Sequence, residues 1–162
     1  MMDAISLVTG LLDAHNRRDA QQLAGQYATG ATVHMSDGQP VSADEWIEIR
    51  DGMVESFPDL AFTAGRVAAV DDVIMFEIRI TGTNEGPLHL NDTDRRLLGT
   101  DAMSLPPTGL IMQIDGVVVV EVANGLITAE RHFLDGLTGY LTVFFAVWWA
   151  WVNFTWFASA YD

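Results

Sequence analysis

Glu130, Arg131, His132 and Asp135 fall within six positions of one another, near the end of a strand-like run from Val122 to Asp135. A histidine whose ordinary pKa is about 6.5 can take up or return a proton at neutral pH. His132 is therefore the first candidate for general acid/base work, set against a hydrogen-bonded histidine at a strand end with no reaction to perform. Alternation along a strand puts Glu130 and His132 on one face and Arg131 and Asp135 on the other. Arg131 is expected to pair with an acid on the outer face. Asp135 is the second candidate, although as a helix cap it would be purely structural. Both sets can face one pocket only if a bulge intervenes. His34, in an early short strand, is the third candidate, or else a buried neutral histidine. His15 and His89 read as exposed or loop-bound.

The chain has 162 residues, enough for one domain with its own core. With no cysteine there can be no disulfide framework and no thiolate metal site. The four histidines lack ligand spacing and paired acids, which argues against a metal site. A formal charge of −14 argues against nucleic acid, because phosphate binding needs clustered cations. Gly82, Gly86 and Gly109 read as turn glycines, since the dinucleotide-binding pattern with its following helix is absent. No secretory pattern opens the chain, so a cytoplasmic location is expected.

Those chemical groups need a scaffold. Ile5, Val8, Leu11 and Leu12 recur at helical spacing over residues 3–15. Asp19 can cap a second short helix that holds Leu23, Ala24 and Tyr27 and stops at Gly30. Residues 31–35 read as a short strand and 36–40 as a turn. Ser42 and Glu45 make a capping box, opening a helix with Trp46, Ile49, Met53 and Val54 on one face until Pro58 forbids its continuation. Strands follow over 60–70 and 73–81 around Asp71-Asp72. Residues 82–109 read as a long loop, with a charged and mobile centre at 91–101. Strands over 110–122 and 126–134 flank Asn124-Gly125, a dipeptide suited to the positive φ angles of a tight hairpin. The sum is an α+β fold: two helices, a strand, a helix, then four long antiparallel strands, with the helices on one face of a curved sheet.

Phe57-Pro-Asp-Leu60, TGTNEGPL at 81–88, Pro106-Pro-Thr-Gly109, the Asn-Gly hairpin and Arg131-His-Phe-Leu-Asp135 follow one another in an order that resembles the SnoaL-like polyketide cyclases. These belong to the nuclear-transport-factor-2-like superfamily, and the resemblance spans about residues 5–140. It implies a cone: a strongly curved, mainly antiparallel sheet with N-terminal helices packed on its concave face (a cystatin-like roll) and an apolar cavity at one end. Tyr27, Trp46, Phe57, Phe76, Leu88 and Met112 would line that cavity, or else be plain core. The resemblance implies a small apolar ligand, a homodimer through the outer sheet face, and acid/base closure or isomerisation of a carbonyl compound without metal or cofactor. The last-strand position held by His132 is a pocket-facing Asp or His in such cyclases. The steroid-isomerase constellation is missing, since His34-Met35 stands near where its aspartate would be. The alternative is a ligand-binding or dimerisation module without catalysis, because one fold carries many functions.

From 141 to 162 the chain leaves that plan. Four of the five tryptophans lie there, and no charged residue falls between Gly136 and Tyr161. Residues 144–162 resemble a membrane segment of the low temperature requirement A family. The tail is expected to pack in a dimer or core, with membrane contact through 143–161 as the alternative.

Overall fold

The computed structural model describes residues 3–35, 39–89 and 101–135, with Asp135 described by its backbone alone. The turn at 36–38, the loop centre at 91–100 and the tail from 136 onward lie outside the described residues.

Helix α1 (Ala4–Arg17) begins where the Asp3 carboxylate accepts the Ile5 amide, and it turns Leu7, Val8, Leu11, Leu12, Ala14 and His15 inward. Arg18 ends it in the left-handed region at φ 60. Asp19 caps α2 (Ala20–Ala24) as expected, its side chain accepting from Gln22 N at 2.8 Å. Tyr27 departs from expectation. Strand β1 (Tyr27–His34) already contains it, and Gly30, at φ 79, lies within the strand instead of ending a helix. Tyr27 pairs with Ile127 of a later strand, and a ladder of this kind outweighs a five-residue helix that could offer it only weak propensity.

Strand β2 (Val41–Ser42) leads into α3 (Ala43–Ser56), where Ser42 Oγ accepts the Glu45 amide at 3.2 Å. The buried stripe of α3 is Ala43, Trp46, Ile47 and Arg50, with Met53 and Val54 partly covered. Ile49 is exposed, contrary to expectation. At 100° per residue the stripe through 43, 46, 47 and 50 leaves position 49 on its flank, so Arg50 takes the inward place that hydrophobicity alone would have given Ile49.

Strands β3 (Ala61–Val70) and β4 (Val73–Thr83) form a hairpin turned by Asp71 at φ 52. Two short strands, β5 (Leu88–His89) and β6 (Ser104–Leu105), pair as a separate ribbon within the stretch expected to be loop. Strands β7 (Ile111–Ala123) and β8 (Leu126–Asp135) are joined by Asn124 at φ 52 and Gly125 at φ 82, both central positions being positive as the hairpin requires. The main sheet runs β2-β1-β8-β7-β4-β3, antiparallel except that β1 and β8 are parallel. This is the curved α+β sheet expected, with the helices on its concave side.

The inward positions are Ile74, Phe76, Ile78 and Ile80 on β4, Met112, Ile114, Val118 and Val120 on β7, and Ile127, Glu130 and His132 on β8. Register sets them in rows: Ile74, Val120, Glu130 and Val33 run across four strands, and Phe76, Val118 and His132 across three. Two polar side chains thus stand where the row pattern calls for core residues. Asn16 fastens α1 to the sheet edge, donating from Nδ2 to Phe62 O at 2.9 Å and accepting from Phe62 N at 2.8 Å.

Candidate active site

Glu130 and His132 sit two residues apart on β8, so strand alternation points both inward. They are 2 % and 4 % exposed, and His132 Nε2 lies 2.6 Å from Glu130 Oε1. The other carboxylate oxygen accepts from the Tyr27 hydroxyl at 2.5 Å, brought alongside by the parallel pairing of β1 with β8. Burial pushes the Glu130 carboxyl up, but the hydrogen bond and charge of His132, the Tyr27 hydroxyl and His15 together hold it below its usual value. Glu130 is therefore a carboxylate, which can only accept hydrogen bonds. It follows that His132 donates from Nε2, and that whenever the ring carries a single proton its lone pair sits on Nδ1. Tyr27 is driven far the other way. Burial and the Glu130 charge raise its hydroxyl well above the ordinary value, so it remains a donor.

Two helices close over this strand. Trp46 of α3 meets the His132 ring edge-on, centroids 5.1 Å apart. His15 of α1 lies 6.2 Å from the Trp46 ring and 4.8 Å from Phe62. Contrary to expectation His15 is buried, and that burial, against an opposing pull from Glu130, lowers its pKa to about 4. The positive charge of Arg50 lowers it further. The signal was available in the sequence: position 15 follows Leu11 by four residues on the buried stripe of α1. Arg50 is another residue that sequence reasoning missed. Its side chain is wholly buried on the inner face of α3, and among the described residues none of its three guanidinium nitrogens makes a hydrogen bond. Its Nη2 lies 3.1 Å from Asp51 Oδ1, a contact between charges without hydrogen-bond alignment. The Trp46 indole N–H also finds no aligned acceptor, although it is near enough to Tyr27 to oppose slightly the rise of that hydroxyl.

Of the residues singled out by sequence, His132, Tyr27 and Trp46 come together here, and Glu130 joins them as the carboxylate that holds the ring. Phe76 shares the His132 row, two strands away. Met112 pairs with Gly82, six residues along β7 from Val118, which at about 3.4 Å per residue is about 20 Å of strand. Phe57 packs beside Gly82 at that same far end. Leu88 is half-buried against the core on β5. His34 lies on the other face of the sheet, paired in register with Arg131, with Thr32 Oγ1 3.5 Å from its Nε2. The dyad therefore does not include it. Arg131 donates to Glu121 at 2.6 Å on that outer face. Asp135 closes β8, and its side chain lies outside the described residues. His89 is exposed, 3.4 Å from Glu55. Among the described residues, no three His, Cys, Asp or Glu side chains are grouped so as to hold a metal ion.

A curved, mainly antiparallel sheet with helices in its concavity is the fold of the nuclear-transport-factor-2-like, cystatin-fold proteins. The SnoaL-like domain family model matches residues 8–130, and the chain belongs to that family. Similar folds include a SnoaL-like polyketide cyclase candidate from Jannaschia sp. CCS1, 21 % identical with a TM-score of 0.66 over 88 % of this chain and 90 % of that one. A SnoaL-like polyketide cyclase from Agrobacterium tumefaciens strain C58 is 15 % identical, TM-score 0.65, over 88 % and 99 % of the two chains. IdmH, a polyketide cyclase candidate from Streptomyces antibioticus, is 20 % identical, TM-score 0.64, over 83 % and 93 %. No curated protein matches the chain. The resemblance of residues 144–162 to a membrane family finds no support in these comparisons, and those residues lie outside the ones described. Among the described residues, no helix is long and apolar enough to cross a membrane.

Proposed function

We propose that the protein is a small-molecule enzyme that closes or isomerises an apolar carbonyl compound by acid/base chemistry at His132. The observation that carries this is the buried Glu130–His132 pair at 2.6 Å. A carboxylate fixed by Tyr27 orients the imidazole and offsets the charge that the ring gains when Nδ1 takes a proton. The C–H bond beside the substrate carbonyl breaks, its proton goes to Nδ1, and its electron pair forms an enolate. In a cyclase the enolate carbon then attacks a second carbonyl of the same molecule. The new alkoxide takes the proton back from Nδ1, leaving the ring neutral again. In an isomerase the proton returns to another carbon instead. Trp46 and the apolar rows around His132 would hold the ligand and keep water out.

Heptane-2,6-dione, whose aldol closure gives a six-membered ring, is a suitable probe. The wild-type protein is expected to form the cyclic ketol, and His132→Gln to lose about 10²–10⁴-fold of that rate. Equal rates in the two proteins would remove His132 from the chemistry.

The proposal includes a homodimer in the cytoplasm. Met75 and Phe133 are exposed on the outer face, in register with Val119 and Val117 respectively, and together they make a small apolar patch. Phe133→Asp is expected to give a monomer by sedimentation, and an unchanged sedimentation coefficient would remove this face from the interface.

A further inference from the structure

Arg50 is not used by the chemistry above, and its surroundings do not explain it. A guanidinium presents five N–H donors in a rigid plane, matched to the two oxygens of a carboxylate. Here the whole group is buried, yet Nε, Nη1 and Nη2 all lack a hydrogen-bond acceptor. Among the described residues the anion it touches, Asp51, is half in solvent and misaligned. Taking this charge out of water carries a desolvation cost that one half-exposed carboxylate offsets only in part. One turn back on the same face of α3, the Trp46 N–H, although close to the Tyr27 hydroxyl, makes no aligned hydrogen bond among the described residues. Trp46 stacks edge-on against His132, and the Arg50 charge is felt at His15, which also feels Glu130 and His132. The unmatched donors therefore border the acid/base pair. His15, held neutral at physiological pH by its burial, adds no charge to compete with Arg50.

We propose that Arg50 anchors a carboxylate of the ligand, so that the substrate is a carbonyl compound with an apolar body and an acid group, a keto acid. This rests on the reading of the site as an acid/base centre and names its substrate class. The guanidinium takes both carboxylate oxygens, Trp46 covers the apolar body, and the carbonyl is left facing His132.

Benzoate and benzamide share shape and ring and differ in charge, so calorimetric titration of the full-length protein with each tests the anchor without any reaction. Wild type is expected to bind benzoate at least tenfold more tightly than benzamide. Arg50→Gln is expected to bring the two within about twofold, and Arg50→Lys to keep part of the preference, because it keeps charge but not the fork. His132→Gln is expected to keep the full preference. Wild type binding both equally, or binding neither, overturns the proposal, as does an Arg50→Gln protein of native circular dichroism that still prefers benzoate. Should Arg50→Gln fail to fold, the wild-type ratio and Arg50→Lys decide. A protein that prefers benzoate but forms no ketol keeps the anchor and loses the acid/base reading. The converse pattern keeps the acid/base reading and loses the anchor.

Discussion

Tyr27 and Glu130 are separated by 103 positions in sequence and joined by a 2.5 Å hydrogen bond. The bond exists because β1 and β8 run parallel side by side, with Tyr27 opposite Ile127 and Val33 opposite Glu130, and an irregularity between Tyr27 and Thr32 brings the two side chains together. Tyr27→Phe removes one of the two donors from a buried carboxylate. Hydrogen bonds to charged groups contribute about 1.5–3 kcal/mol, and a loss in that range is expected by urea unfolding at pH 7. The carboxyl of Glu130 should titrate at higher pH in the variant, read by carbon-13 resonance of the labelled carboxyl. Glu130→Gln should be milder in stability than Glu130→Ala, since the amide still offers an oxygen to Tyr27.

His15 gives the chain a pH dependence whose sign follows from its neighbours. The folded pKa is lowered to about 4, while an unfolded histidine titrates near its ordinary value. Above about pH 6.5 both states are neutral and the residue is silent. As pH falls from there toward 4, the unfolded chain takes up a proton that the folded one refuses, and stability is lost. The loss levels off below the folded pKa at roughly 3 kcal/mol. His15→Phe, an aromatic able to pack against Phe62 and Trp46, is expected to flatten this limb of the stability curve between pH 6.5 and 4. An unchanged limb would assign the acid sensitivity to other groups.

Asn84 is a buried tie between segments. Its Nδ2 donates to Ser56 O at 3.2 Å and Gly86 O at 2.9 Å, while Oδ1 accepts from Thr108 N and Thr108 Oγ1, both at 2.9 Å. It thereby fixes the end of α3 to the stretch before β7. Asn84→Ala removes the partners of Gly86 O and Thr108 N, while Ser56 O keeps the Glu85 and Gly86 amides, and it is expected to cost about 2–4 kcal/mol, taking each stranded buried group at 1–3 kcal/mol with partial relaxation. Asn84→Asp should cost as much or more, because it replaces two donated bonds with a buried charge facing two carbonyls.

At Gly116, β7 lies too close to β8 to admit a side chain. A Cβ there would stand 2.4 Å from Phe133 O and 2.9 Å from Leu134 Cα, both backbone atoms. Gly116→Ala must therefore displace β8 just beyond His132, and a loss of about 1–3 kcal/mol is expected from overpacking. Amide exchange of Phe133 and Leu134 should speed up more than that of β3.

Much of this architecture was legible because it is local. Asp19 and Ser42 cap helices through bonds three residues away, and Asn124-Gly125 takes the positive φ angles of a tight hairpin. Glu130 and His132 share a face because strands alternate. What escaped depends on long-range contacts. Tyr27 looks helical beside Leu23 and Ala24, and only its pairing with β8 makes it a strand residue. His15 and Arg50 are polar residues on apolar stripes, where residue type argues for solvent and position argues for burial. His34 was separated from the site by one step of strand alternation, and sequence alone could not say which face of its strand looks inward.

The most direct test of the Glu130–His132 pair as a proton-transfer device needs no knowledge of the natural substrate. Exchange of the α-protons of 2-tetralone into deuterium oxide can be followed by proton resonance with wild type, His132→Gln and Glu130→Gln. Wild type should exchange them well above the buffer rate, His132→Gln should fall by about 10²–10⁴-fold, and Glu130→Gln should fall with it. Exchange by wild type no faster than buffer, or by His132→Gln as fast as wild type, would contradict catalysis at this site and leave the fold as a binding module.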